Sequence, residues 1–146
     1  MANPIVPQGT LNRLRGSVTV TSNTSLNVTA SYLGKEGISL SFDSPTDTVI
    51  DTMVGVVQSP EPYQRVTCAI HLLKTQALAD MWKQQIEGNV LIGEIVVKTD
   101  AATLSPYQVS NCAVMNVNPL KFDGTDAGYI VMISGIYYIN ADLWNF

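Results

Sequence analysis

Charge is scarce in this sequence. Asp, Glu, Lys and Arg make up 14% of its 146 residues, against about a quarter in an ordinary soluble domain. With 46% hydrophobic residues and a mean hydropathy of +0.16, too few ions remain to cover a lone molecule. Uncharged polar side chains or neighbouring subunits must do so. Because interface centres are depleted in charge, the shortage implies an obligate oligomer. Cations are scarcer still: 8 Lys and Arg against 12 acids give a net charge of −4 and a pI near 4.7. That excludes a surface built to grip phosphates, which needs a basic face to displace counterions. It leaves nucleic acid possible as a passenger.

The reactive residues are equally few. One histidine, His71, cannot make a multi-histidine metal site, and no nucleophile accompanies it in a known catalytic motif. Cys68 and Cys112 lie far apart in apolar contexts and are expected to be inert, reduced core thiols rather than a disulfide. Neither a GxGxxG nor a Walker phosphate loop occurs. Aromatics total 8% and crowd the C-terminus (Tyr129, Tyr137, Tyr138, Trp144, Phe146) without interleaved cations, so a single-strand-binding platform is excluded. The expectation is therefore no enzyme, no metal and no cofactor. MANPIVPQGT lacks the basic and apolar regions of a signal peptide, which leaves Asn23-Thr24-Ser25 and Asn27-Val28-Thr29 as chance glycosylation matches. No run approaches the ~20 apolar residues of a membrane span, so no membrane insertion is expected.

What is present is alternation. Residues 1–12 read as an extended arm. From Arg13, RLRGSVTV sets Leu14, Val18 and Val20 against Arg13, Arg15, Ser17 and Thr19. LNVTASYL continues with Leu26, Val28, Ala30 and Tyr32. After a turn at GKEG, ISLSFD adds Ile38, Leu40 and Phe42. QRVTCAIHLL places Val66, Cys68, Ile70 and Leu72 on one face and His71 on the other. A period of two marks strands with one dry face and one wet face. The wet faces are mostly Ser, Thr and Asn. One helix is predicted at about 75–87, with Thr75 as N-cap, an apolar stripe of Leu78, Met81, Trp82 and Ile86, and Gly88 at its end. NVLIGEIVVKT, YQVSNCAVMNV and YIVMISGIYYI are three further strands between turn-rich segments. The expected fold is a single domain over residues 1–146, mainly β: a sandwich or barrel of about seven to eight strands with one flanking helix.

Two acidic clusters invite a metal reading. Asp43, Asp47 and Asp51 are too widely spaced for a calcium loop, and Asp123-Gly124-Thr125-Asp126 is first of all a turn.

The remaining oddity is TVIDTMVGVVQSPEPY, residues 48–63. It has the composition of a strand, no core to join and two prolines at its end. An unpaired apolar strand is a hazard in a monomer, because its edge recruits other chains. Val49, Ile50, Met53, Val54, Val56, Val57 and Tyr63 are accordingly the candidate subunit-interface residues.

The element order resembles that of the tail tube proteins of contractile-tailed bacteriophages, and of the related tube proteins of type VI secretion systems and tailocins. It is carried by the alternating N-terminal strands, VGVVQSPEPYQRVTCAIHLLKTQALADMW, LIGEIVVKTD, NCAVMNV and FDGTDAGYIVMISGIYYIN, across essentially the whole chain. The resemblance implies a β-sandwich that forms hexameric rings, their sheets joined into one barrel and the rings stacked into a tube. It implies that a long loop or hairpin, here residues 48–63, reaches onto neighbouring subunits. It also implies a tail sheath, baseplate and terminator proteins as partners, double-stranded DNA as non-specific passenger, and a place in the virion tail after assembly in the host cytoplasm. A neutral to acidic bore would let DNA slide during ejection; Arg13 and Arg15 fit such a bore poorly. Alternatives are a tail terminator, a baseplate hub ring, or a secretion or tailocin tube subunit. A ligand-binding β-barrel is a more distant one.

Overall fold

The computed structural model describes residues 6–99 and 104–145. Their strands are β1 (Ser17–Val20), β2 (Leu33–Phe42), β3 (Asp47–Asp51), β4 (Val56–Pro60), β5 (Tyr63–Leu73), β6 (Leu91–Lys98), β7 (Tyr107–Val117) and β8 (Gly128–Tyr138). The helix α1 spans Ala77–Gly88. The fold is mainly β, as expected. Six strands form an antiparallel sheet in the order β1-β6-β7-β8-β5-β2, while β3 and β4 pair only with each other.

Alternation along β5 builds the core. Val66, Cys68, Ile70 and Leu72 stand opposite Gly135, Ile133, Val131 and Tyr129 of β8. All of these residues are buried. α1 adds Leu78, Ala79 and the wholly buried Trp82 to the same cluster. Among the described glycines, Gly135 sits in the tightest surroundings. A Cβ there would sit 2.6 Å from Val109 Cγ1 and 2.7 Å from Cys112 Sγ.

The sheet curls into a half-barrel. β2 and β7 are separated by β5 and β8, which in a flat sheet would put them about 14 Å apart. Yet the rings of Phe42 on β2 and Tyr107 on β7 lie 5.7 Å centroid to centroid, with Tyr137 of β8 against both.

Four local expectations are corrected. Arg13–Arg15 is a single 3-10 turn, and the strand begins at Ser17. Residues 26–32 form no strand: Thr24–Leu26 and Ala30–Tyr32 are 3-10 turns. Here asparagine side chains take over strand hydrogen bonds. Asn23 Oδ1 accepts from Ser25 N–H and Asn27 Oδ1 from Val20 N–H, while Leu26 and Val28 are still buried. GKEG is not a turn between strands but an irregularity inside β2, where Gly37 takes a φ of +68° that a side chain would resist. Finally, Gln76 rather than Thr75 occupies the helix N-cap, without a side-chain bond, and Met81 is more exposed than the stripe required. Of the expected N-terminal arm, residues 1–5 lie outside the described residues, and 6–12 carry no regular element.

Candidate interaction surface

The ribbon that had no core to join is a hairpin. Val49 pairs with Gln58, Ile50 with Val57 and Asp51 with Val56. The end is closed by three hydrogen bonds between Thr52 and Gly55. Thr52 N–H and Oγ1 both donate to the Gly55 carbonyl, and Gly55 N–H donates to Thr52 Oγ1. Met53 and Val54 are thereby held at the tip, 101% and 99% exposed. Val49, Ile50, Val56 and Val57 are each about half exposed, because a two-stranded ribbon has no second layer to cover either face. All six predicted hairpin residues are thus brought together on one protruding apolar element. Tyr63, the seventh, stands beyond its base as the first residue of β5.

The base is anchored. Glu61 N–H donates to the Thr46 carbonyl, and Thr48 Oγ1 donates to Glu61 Oε1 at 2.7 Å. Asn140, just past β8, donates through Nδ2 to the carbonyls of Thr46 and Glu61. Its φ is +50°, a left-handed conformation that asparagine tolerates better than most residues. Sequence reading missed this clamp; its only local signal was an Asn directly after a strand. Beside it, Tyr138 stands opposite Tyr63 and packs edge-on against Trp144 at 5.6 Å. Tyr138 and Trp144 border an apolar cleft of about 550 Å³.

Several of the other singled-out residues have structural partners, whereas Asp47 Oδ1 is buried without a hydrogen bond. His71 Nδ1 donates to the Gly37 carbonyl at 2.9 Å, tying β5 to the irregularity in β2. Asp43 accepts from Thr67 Oγ1. Asp123 accepts from the backbone N–H and hydroxyl of Thr125, which hold its carboxyl below the usual range. Asp126 accepts from Gly128 N–H. Burial pushes the Cys68 thiol up to about 12 and the Cys112 thiol up to about 11, so neither is a nucleophile at neutral pH. Among the described residues, no helix is long and apolar enough to cross a membrane.

The sheet face turned away from α1 is uncharged in its middle and carries Arg65 and Asp43 towards one end. Across its middle, Thr67, Ala69 and His71 stand opposite Ser134, Met132 and Ile130, flanked by Ser39 and Ser41 of β2. This is more apolar than the Ser, Thr and Asn surface that alternation alone implied.

The two outer edges of the sheet differ. β1 is covered along its free side, since Val18 exchanges both backbone hydrogen bonds with Val28 and Val20 N–H is taken by Asn27. Among the described residues, β2 is paired only with β5. Asp43 N–H bonds to Arg65 O, and strict alternation then turns the N–H and C=O groups of Ile38, Leu40 and Phe42 outward along the open edge.

No family model matches this chain, and no curated protein does. Among solved structures, it is similar to the tube-terminating cap of the anti-feeding prophage, determined by cryo-electron microscopy. The two are 16% identical, with a TM-score of 0.49 over 93% of this chain and 92% of that one.

Proposed function

We propose that the chain is a structural subunit of a phage-type tail tube. It assembles as hexameric rings stacked around a channel through which double-stranded DNA passes, inside a contractile sheath. One observation carries the proposal: the protruding hairpin, with Met53 and Val54 fully in solvent and four more aliphatic side chains half exposed. Exposed apolar surface of this kind marks an interaction site. Covering each of those side chains with a neighbour stabilises the assembly by on the order of 1–2 kcal/mol. The open β2 edge supports lateral joining of subunits, since a ring leaves no free edge once it closes. The uncharged middle of the sheet face opposite α1 suits a bore that must not hold its passenger. Tail sheath, baseplate and terminator proteins are the expected partners, and the virion tail is the expected location.

The test is negative-stain microscopy and sedimentation of purified protein at increasing concentration. Stacked rings or uniform tubes support a tube subunit, whereas single rings that refuse to stack point to a terminator or hub ring. A monomer that persists at the highest concentration excludes the whole class.

A further inference from the structure

The half-barrel leaves a groove along the open edge of β2. Its floor is apolar, made by Ile38, Leu40 and Phe42 on one side and Val97 and Tyr107 on the other, and it encloses about 440 Å³. Lys35, Glu36 and Lys98 border it, a net positive rim. Among the described residues, Lys35 and Lys98 have no ion-pair partner. The hairpin has the complementary character. No Lys or Arg occurs between Lys35 and Arg65, and β3 carries Asp47 and Asp51 on either side of Val49 and Ile50.

Resting on the ring assembly proposed above, we infer that this groove receives the β3–β4 hairpin of a second copy. β3 of the guest adds to the free edge of β2. The outward N–H and C=O groups of Ile38, Leu40 and Phe42 supply the ladder, and β3 supplies a full set of donors because it contains no proline. The guest's aliphatic side chains cover the apolar floor, and the exposed Asp51 meets the lysine rim. The match is in three respects at once: a strand edge for a strand edge, apolar for apolar, and acid for base. A hairpin cannot fold back into its own groove while Asn140 holds its base against Thr46 and Glu61, so the guest belongs to another molecule. Since the rim lysines steer the encounter, assembly slows as salt rises.

Two full-length variants, Asp51→Cys and Lys98→Cys, are prepared separately, mixed under assembling conditions and oxidised. The native thiols are buried and do not compete. The expected result is a disulfide-linked dimer in the mixture and none when Lys83→Cys, on α1, replaces Lys98→Cys. In parallel, Asp51→Lys and Lys98→Asp alone each raise the concentration needed for assembly by about tenfold, and an equimolar mixture recovers most of that loss. Particles that form without the cross-link, and charge variants that assemble like wild type, overturn the groove assignment and leave the tube proposal standing. A wild-type chain that never assembles overturns both.

Discussion

Phe42 and Tyr107 touch across a gap that two intervening strands should have kept open. Their ring centroids are 5.7 Å apart at a tilt of 60°, and Tyr137 completes the cluster. Both rings line the groove beside β2. Replacing Tyr107 with Ala removes two ring contacts, each worth about 0.5–1.5 kcal/mol beyond its buried area. A loss of about 2–3 kcal/mol in urea unfolding is expected, and a loss below about 0.5 kcal/mol means the sheet holds its curl by other means.

At the tip of the hairpin, Val54→Asp is expected to leave monomer stability within about 0.5 kcal/mol of wild type, because the side chain is already in solvent. Assembly is expected to be abolished, since an unpaired carboxylate at an interface is costly. Circular dichroism and sedimentation on one sample read both. Val56→Asp, half exposed, tests the same surface one step closer to the base. Unchanged particles remove the hairpin from the interface; unfolding places it in the intrachain core.

Gly135 predicts a stability effect unrelated to assembly. Ala at this position drives a methyl group into Val109 and Cys112 and to 3.1 Å from the Ser110 carbonyl. Overpacking of this kind costs about 1–3 kcal/mol. A denaturation midpoint equal to wild type shows that β7 can move away at no cost.

Asn140 separates backbone from side-chain effects. Asn140→Gly retains the left-handed conformation and loses both hydrogen bonds to the hairpin base. Asn140→Ala also adds backbone strain. The expected order of stability is wild type, then Gly, then Ala, with about 1 kcal/mol between the first two. Amide exchange in residues 46–61 should accelerate in both variants.

The two thiols make stability fall in alkali. Free cysteine ionises near 9, whereas burial holds Cys68 and Cys112 protonated to about 12 and about 11. Above pH 9 the unfolded chain therefore binds fewer protons than the folded one, and unfolding becomes easier as pH rises. The contribution is complete below pH 9 and is lost progressively towards pH 11–12. Cys68→Ala with Cys112→Ala should flatten the profile of urea midpoints between pH 9 and 11. At pH 8, thiol reagents should modify the native protein far more slowly than the denatured one.

Much of this was legible in the sequence, and the part that was not has a common cause. The alternation in QRVTCAIHLL located β5 and its buried face, and the apolar stripe located α1. Where side-chain amides compete for the backbone the period misled, so that Asn23 and Asn27 turned an apparent strand at 26–32 into two short turns. The hairpin residues were found because six aliphatic side chains without an evident partner are visible in one dimension. Asn140 was not, because its two acceptors lie 79 and 94 residues away.

By itself, then, the sequence determined the mainly β class, the core face of β5, the helix and the apolar character of residues 48–63. All of these follow from periodicity or from composition, which are local. Only the tertiary structure decided that residues 27–28 cover β1 while β2 stays open, that the sheet curls until Phe42 meets Tyr107, and that Lys35 and Lys98 border one groove. Those facts depend on which strands become neighbours, and strand pairing is made by contacts between residues far apart in the chain.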